Sequence, residues 1–397
     1  MVQVSLHRFL ANAAAQPTCN TFPFAGDGLD VVRRVIQAWP GYAPTPLRSL
    51  AELARDLELG SIHFKDEGRR FGLGSFKPLG GAFAVHQFLA RMVTQKTGDP
   101  DPDLLSGNYA DIVSTYTVTA ATDGNHGRAV AWGAKLFGCQ CVIYINAAAT
   151  QGRADAIASQ GAEVRRVDGS YDAAVRIAAA AGEQNGWQTI ADTSDGRSLE
   201  APRDVTQGYM LMADEALAQW PEAVPPTHTF LQAGVGGMAA ASCARLCMAF
   251  EDYKPKTIIV EPDQAACWYA SLDAGKPVAV TGDIDSEMAG LACGEVSHIA
   301  WGVLYRGADF AVTVDDAAVP EVMRYLAQSG QDDRPIVAGE SGIAGLAGLI
   351  ATATDAQART ALGLGPDSHI LLFGSEGATD PVNYEAIVGK SPAEVAA

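Results

Sequence analysis

The sequence is short of positive charge: 28 Lys and Arg stand against 46 Asp and Glu, a formal net charge of −18. Tracking a phosphate backbone needs clustered Lys and Arg, so nucleic acid is excluded as a partner, and an anionic membrane surface with it. Long apolar runs are also missing. No stretch approaches the roughly 20 residues that a membrane-spanning helix requires. Residues 1–12 contain His7 and Arg8 but no apolar run ending in a small-residue cleavage site, so no signal peptide is expected. Seven cysteines occur without a single C-x-x-C pair, which excludes a zinc ribbon and a thioredoxin-type motif. The expectation is a reduced, cytoplasmic protein. Internal repeats and low-complexity segments are absent as well.

What is present is globular in kind. Hydrophobic residues make up 48% and charged residues 19% of 397, enough for two or three domains with buried cores. Short β-branched runs fall at residues 61–65, 111–118, 141–145, 162–167, 227–231, 257–260, 310–314 and 369–373. Helical patterns lie between them at 127–137, 153–160, 171–184, 209–220, 238–250 and 319–328. Several of the strand-like runs are almost wholly apolar, as in parallel sheets covered on both faces. The alternation implies a doubly wound α/β architecture. Residues 97–107 and 193–203 are polar and rich in turn formers, and read as irregular segments bracketing a middle block of βα units.

Four segments carry chemistry. In 64–82 (FKDEGRRFGLGSFKPLGGA) a strand-like start runs into a glycine-rich turn and then Lys77-Pro78. Proline favours the first helical position and biases its predecessor towards extended backbone. Lys77 is thus expected in extended geometry at a helix mouth. A surface lysine is the ordinary reading, but one fixed there can present a neutral amine for Schiff-base chemistry. The apolar run 227–231 leads into Gly234-Val235-Gly236-Gly237-Met238, a loop that can surround a phosphate with N–H groups at a helix N-terminus. The same string fits the dinucleotide fingerprint G-x-G-x-x-A, with Glu261 where a ribose-binding acid would lie. A nicotinamide dehydrogenase is therefore the rival reading; in the other, Glu261 is a structural strand-end acid. Asp123-Gly124-Asn125-His126-Gly127 opens a further helix after a strand. Asp123 reads either as its N-cap or as a base, and His126 as a packed, hydrogen-bonded core group. The fourth segment is Ser375, at the end of the last strand-like run.

These blocks, with Gln207-Gly208-Tyr209, Gly290–Glu295 (GLACGE) and Gly339-Glu340-Ser341-Gly342, occur together and in one order. The chain resembles the fold-type II pyridoxal-phosphate enzymes, and among them the diaminopropionate ammonia-lyases. That resemblance implies two open α/β domains with pyridoxal 5'-phosphate in the cleft between them. It implies a large discontinuous domain (1–88 and 208–397) and a small one (89–207). Lys77 would hold the cofactor, residues 234–238 (Gly234, Val235, Gly236, Gly237 and Met238) its phosphate, and Asn125 its phenolic oxygen. Ser375, with Thr379 second, would face its pyridine nitrogen, and Glu340 would complete the cofactor set.

The resemblance implies α,β-elimination of 2,3-diaminopropionate to pyruvate and two ammonia. Lys77 would take the α-proton of the L-isomer and Asp123, on the opposite face, that of the D-isomer. Asp192 would meet the substrate, whose two ammonium groups suit an acidic pocket. The partner is a small amino acid, and the assembly a homodimer. Cys267 and Cys293 match positions where the family can form a disulfide, open in a reducing cytosol. Cys139, Cys141, Cys243 and Cys247 read as buried small residues. One departure stands out. In the family a Trp follows the aspartate of the 192 type, whereas here the run is Asp192-Thr193-Ser194-Asp195-Gly196, with no Trp before Trp220. Serine, threonine or an N-substituted diaminopropionate therefore remain alternative substrates, and a cofactor-free amino-acid-binding protein an alternative class.

Overall fold

The computed structural model describes residues 2–397 apart from 22, 23, 25, 123, 148, 169, 170, 195, 197, 251, 252, 283 and 329–333. The chain divides into two compact units. One comprises Met1–Gly26, Ala43–Phe76 and Met210–Ala397; the other comprises Asp27–Tyr42 and Lys77–Tyr209.

The first unit holds a seven-stranded sheet built from β1 (Arg8–Ala11), β2 (Leu47–Ser49), β3 (Ser61–Asp66), β8 (His228–Gln232), β9 (Lys256–Pro262), β10 (Phe310–Val314) and β11 (His369–Gly374). Their order is β1-β10-β9-β8-β11-β3-β2. The inner pairs are parallel, and the short edge strands β1 and β2 are antiparallel. The second unit holds β4 (Thr117–Thr122), β5 (Gln140–Asn146), β6 (Glu163–Val167) and β7 (Gln188–Thr189). These are parallel in the order β6-β5-β4-β7. The central strands are apolar on both faces because both are buried: Phe230, Ile258, Val260, Ile370 and Leu372 share one core with the helix Ala344–Thr354, ten of whose eleven residues are buried.

Three expectations differ from what is observed. Residues 111–118 are not one strand: a helical turn, Ala110–Val113, precedes β4. Its carbonyls are used locally, Ser114 donating to Ala110 O at 3.0 Å, so the β-branched Ile112-Val113 pair imitates a strand. Nor is 193–203 irregular throughout. The helix Glu200–Ala218 begins nine residues before Tyr209, and Pro202 sits in its first turn, where no N–H partner is needed. Arg91 anchors that turn by pairing with Asp204 at 2.8 Å and Glu200 at 3.3 Å. Finally, the helix Pro78–Thr97 lies wholly in the second unit, as does 27–42. Glycines let this helix pack closely there: a Cβ on Gly133 would sit 2.7 Å from Ala82 Cα, and one on Gly208 2.0 Å from the Leu79 carbonyl.

A buried four-charge cluster lies in the first unit. Arg70 donates to Glu67 (Nε to Oε2, 2.8 Å) and to Glu215 (Nη2 to Oε2, 2.7 Å), and Lys65 donates to Glu215 at 2.8 Å. All four side chains are at most 4% exposed. Burial alone would raise the Glu67 carboxyl, but the Arg70 guanidinium holds it below the usual carboxylate range. Among the described residues, no helix is long and apolar enough to cross a membrane.

Candidate active site

In the second unit, Lys77 is the residue before Pro78 and caps the helix Pro78–Thr97. Its backbone is helical rather than extended, φ −52° and ψ −32°. The reason is local: Gly80 N and Gly81 N both donate to the Lys77 carbonyl, at 3.1 and 2.9 Å. Lys77 is thereby drawn into the first turn, and Pro78 has no N–H to lose there. Its Nζ donates to Asp192 Oδ2 at 2.8 Å, with the two side chains 20% and 10% exposed. The Tyr209 ring lies 5.9 Å from Nζ.

Asp192 follows β7, whose register continues through Ile190 N donating to Thr119 O at 2.8 Å. Burial works to raise its carboxyl, yet the Lys77 ammonium and His126 hold it well below the usual carboxylate range. Since its folded pKa lies below the unfolded value of about 3.9, this group stabilises the fold above that pH. The contribution is lost as the pH falls through the folded value.

Asn125 and His126 open the helix Asn125–Phe137 directly after β4. Thr122 Oγ1 accepts from Gly124 N at 2.9 Å and Gly127 N at 3.0 Å. A Cβ on Gly127 would meet Thr122 Cγ2 at 2.3 Å, so glycine is what lets this helix mouth seat on the strand. His126 is buried and donates from Nε2 to Ile190 O at 2.8 Å, while Nδ1 faces Asp192 Oδ2 at 3.9 Å. Burial lowers its pKa, and the imidazole is packed and hydrogen-bonded, as expected. Asp123 lies outside the described residues.

In the first unit, the loop 233–236 joins β8 to the helix Gly237–Ala249. Gly236 has φ +95°, and a Cβ there would lie 2.3 Å from Trp268 Cζ2. Trp268 Nε1 donates to Gly234 O at 2.9 Å, and Ser297 N to Val235 O at 2.9 Å. In a trans peptide N–H and C=O point opposite ways. The N–H groups of Val235 and Gly236 therefore face away from these donors, at a helix N-terminus, which is the arrangement a phosphate requires. Met238 is buried in the first turn. Glu261 is taken up structurally: its two oxygens accept from Trp268 N at 2.7 Å and Tyr269 N at 2.8 Å. Burial pushes its carboxyl up to about 8. Glu261 is fully buried with both oxygens turned to this backbone, so the dinucleotide reading fails on this residue.

Ser375 is buried and its Oγ accepts from Gln232 Nε2 at 3.0 Å, which leaves the hydroxyl hydrogen to donate to a ring nitrogen. Gln232 was not legible as a site residue; the one available signal was its place at the end of β8, two residues before Gly234. Residues 74–76 run alongside 375–377, with Phe76 N donating to Ser375 O at 3.0 Å and Gly377 N to Gly74 O at 2.9 Å. Ser341 N donates to Glu376 Oε1 at 3.0 Å, and Gly290 N to Ser341 Oγ at 2.9 Å. The motif blocks at 290, 340 and 375 are thus one hydrogen-bonded assembly. Glu340 is buried and accepts from Asn383. Thr379 is half-buried, its N–H donating to Gly377 O.

One cysteine differs from expectation. Cys247 is no simple buried residue but is bonded to Cys19, while Cys267 and Cys293 lie beside Gly234 as thiols. Cys19 and Cys247 are 228 residues apart, so no local pattern shows the pairing. Cys139, Cys141 and Cys243 are free.

The fold and this set of groups define a pyridoxal-phosphate enzyme of fold type II. A family model described as "Pyridoxal-phosphate dependent enzyme" matches residues 38–373. The chain is 38% identical over 379 residues to diaminopropionate ammonia-lyase of Escherichia coli (strain K12), covering 94% of each. It is 38% identical over 358 residues to that of Salmonella typhimurium, covering 88% of this chain and 89% of the relative. The solved Escherichia coli diaminopropionate ammonia lyase in complex with D-serine superposes with a TM-score of 0.89 at 36% identity, over 98% of both chains. The chain therefore belongs to the pyridoxal-phosphate-dependent enzymes, in their diaminopropionate ammonia-lyase family.

Proposed function

We propose that this protein eliminates the 3-amino group of 2,3-diaminopropionate, of L and D configuration, to give pyruvate and two ammonia. The observation that carries the reading is the Lys77–Asp192 pair at the Asn125–His126 helix mouth. Bound pyridoxal phosphate would supply an electron sink for the pair released at the substrate α-carbon. The residues would hold it as follows: Lys77 by its amine, 234–238 at the phosphate, Asn125 at the phenolic oxygen and Ser375 at the pyridine nitrogen, with Glu340 as a further contact. Lys77 takes the α-proton on one face and Asp123 on the other. Asp192 receives the substrate's second ammonium group and manages the proton of the leaving amine. The resemblance further supports a cytoplasmic homodimer acting on a small amino acid.

Parallel pyruvate assays on 2,3-diaminopropionate, serine and threonine test this reading. Diaminopropionate is expected to be turned over fastest, and a preference for serine or threonine would make the protein a dehydratase. Two substitutions probe the two carboxylates. Asp123→Asn is expected to lower kcat/KM for the D-isomer by about 10²-fold and for the L-isomer by less than about tenfold, the range of a positioned base. Equal losses would refute the two-face assignment. Asp192→Asn is expected to cost about 10²-fold on diaminopropionate and less than about tenfold on serine, which lacks the second ammonium. An unchanged ratio would remove Asp192 from substrate selection.

A further inference from the structure

Three cysteines outside the site converge. The ligand atoms of Cys19, Cys243 and Cys247 all lie within 4.8 Å of one another. Cys243 and Cys247 are one turn apart on the helix Gly237–Ala249, and Cys19 comes from the N-terminal segment, bonded to Cys247. Gly307 closes the cluster: a Cβ there would sit 2.8 Å from Cys243 Sγ and 3.2 Å from Cys19 Cβ. Thr257 Oγ1 donates to Cys243 Sγ at 3.9 Å. Of the three, Cys19 lines a cavity of about 400 Å³, together with Gln16, Asn20, Trp301 and Arg306.

We infer that, once the Cys19–Cys247 bond is reduced, these three sulfurs form a site for one thiophilic d10 cation of the Zn²⁺ class. A tetrahedral ion about 2.3 Å from each sulfur holds sulfur pairs about 3.8 Å apart, inside the 4.8 Å within which the three ligand atoms already lie. The set is all-sulfur, which selects soft or borderline cations over Mg²⁺ and Ca²⁺. The fourth position is left to a solvent ligand from the cavity. The chemistry balances in two steps. A dithiol reductant delivers two electrons and two protons to the disulfide and closes to its own disulfide. The cation then binds as thiolates form, and their protons are released. Disulfide and metal exclude each other because Cys19 and Cys247 serve both.

The test is titration of the full-length protein with Zn²⁺ or Co²⁺, phosphine-reduced in one arm and diamide-oxidised in the other. One equivalent is expected to bind the reduced form, with sulfur-to-cobalt charge-transfer absorbance. Binding is expected to be at least about 100-fold weaker in the oxidised form and in Cys19→Ser, since even an outer-shell change costs up to that much. Should Cys243→Ser or Cys19→Ser fail to fold, alkylation mapping of the wild type decides. Zn²⁺ is expected to protect Cys19 and Cys247 in the reduced protein. No binding by the reduced form, equal binding by the variants, or protection confined to Cys139, Cys141, Cys267 or Cys293 would overturn the inference.

Discussion

Lys77→Ala is expected to lower turnover of 2,3-diaminopropionate by about 10⁴-fold, the upper range for loss of a positioned proton-transfer group, because the same amine also anchors the cofactor. Lys77→Arg should lose as much. It can keep a charge pair with Asp192, but a guanidinium stays protonated in proteins and offers no nucleophilic amine. That comparison separates chemistry from structure, since a purely structural Lys77–Asp192 contact would be rescued by arginine. Borohydride treatment of the loaded wild type, followed by peptide mapping, should place the pyridoxyl group on Lys77. Turnover within tenfold of wild type in either variant would move the role elsewhere.

The second large effect is on stability. Arg70→Leu leaves Glu67 and Glu215 sharing only Lys65, so one buried carboxylate loses its partner. Removing one member of a buried ion pair typically costs about 3–5 kcal/mol, and that is the expected loss in denaturant unfolding. Adding Glu67→Gln to Arg70→Leu removes the orphaned charge and leaves the Lys65–Glu215 pair, at 2.8 Å, intact. The double variant should therefore regain part of the loss. A loss below about 1 kcal/mol for Arg70→Leu, the range of exposed pairs, would show that the cluster contributes little.

This cluster also shows what the sequence made legible and what it did not. The block 65–70 was visible as a string, but its partner Glu215 lies 145 residues from Arg70, and no local periodicity reports such a distance. The same holds for Cys19–Cys247 and for Gln232 beneath Ser375. Elements announced themselves where local chemistry and tertiary burial agreed. β10 was read at its observed limits because its apolar residues are buried on both sides, and Lys77 was placed at its helix mouth by Pro78. Reading failed where tertiary contacts chose between local options. Pro202 looked like a breaker but sits in a first turn that tolerates it, and Lys77 itself is helical because Gly80 and Gly81 need its carbonyl. β1 and β2, of four and three residues, are edge strands too short to carry a period. The helix Ala344–Thr354 has ten of its eleven residues buried, so it lacks the amphipathic stripe by which a surface helix is recognised.

The central claim is an elimination that releases both nitrogens of the substrate. The direct measurement is product stoichiometry: pyridoxal-phosphate-loaded protein is given L-2,3-diaminopropionate, and pyruvate and ammonia are counted against substrate consumed. One pyruvate and two ammonia per substrate are expected, with serine turned over more slowly. Failure to form pyruvate from diaminopropionate, or release of only one ammonia per pyruvate with serine as the faster substrate, would contradict it.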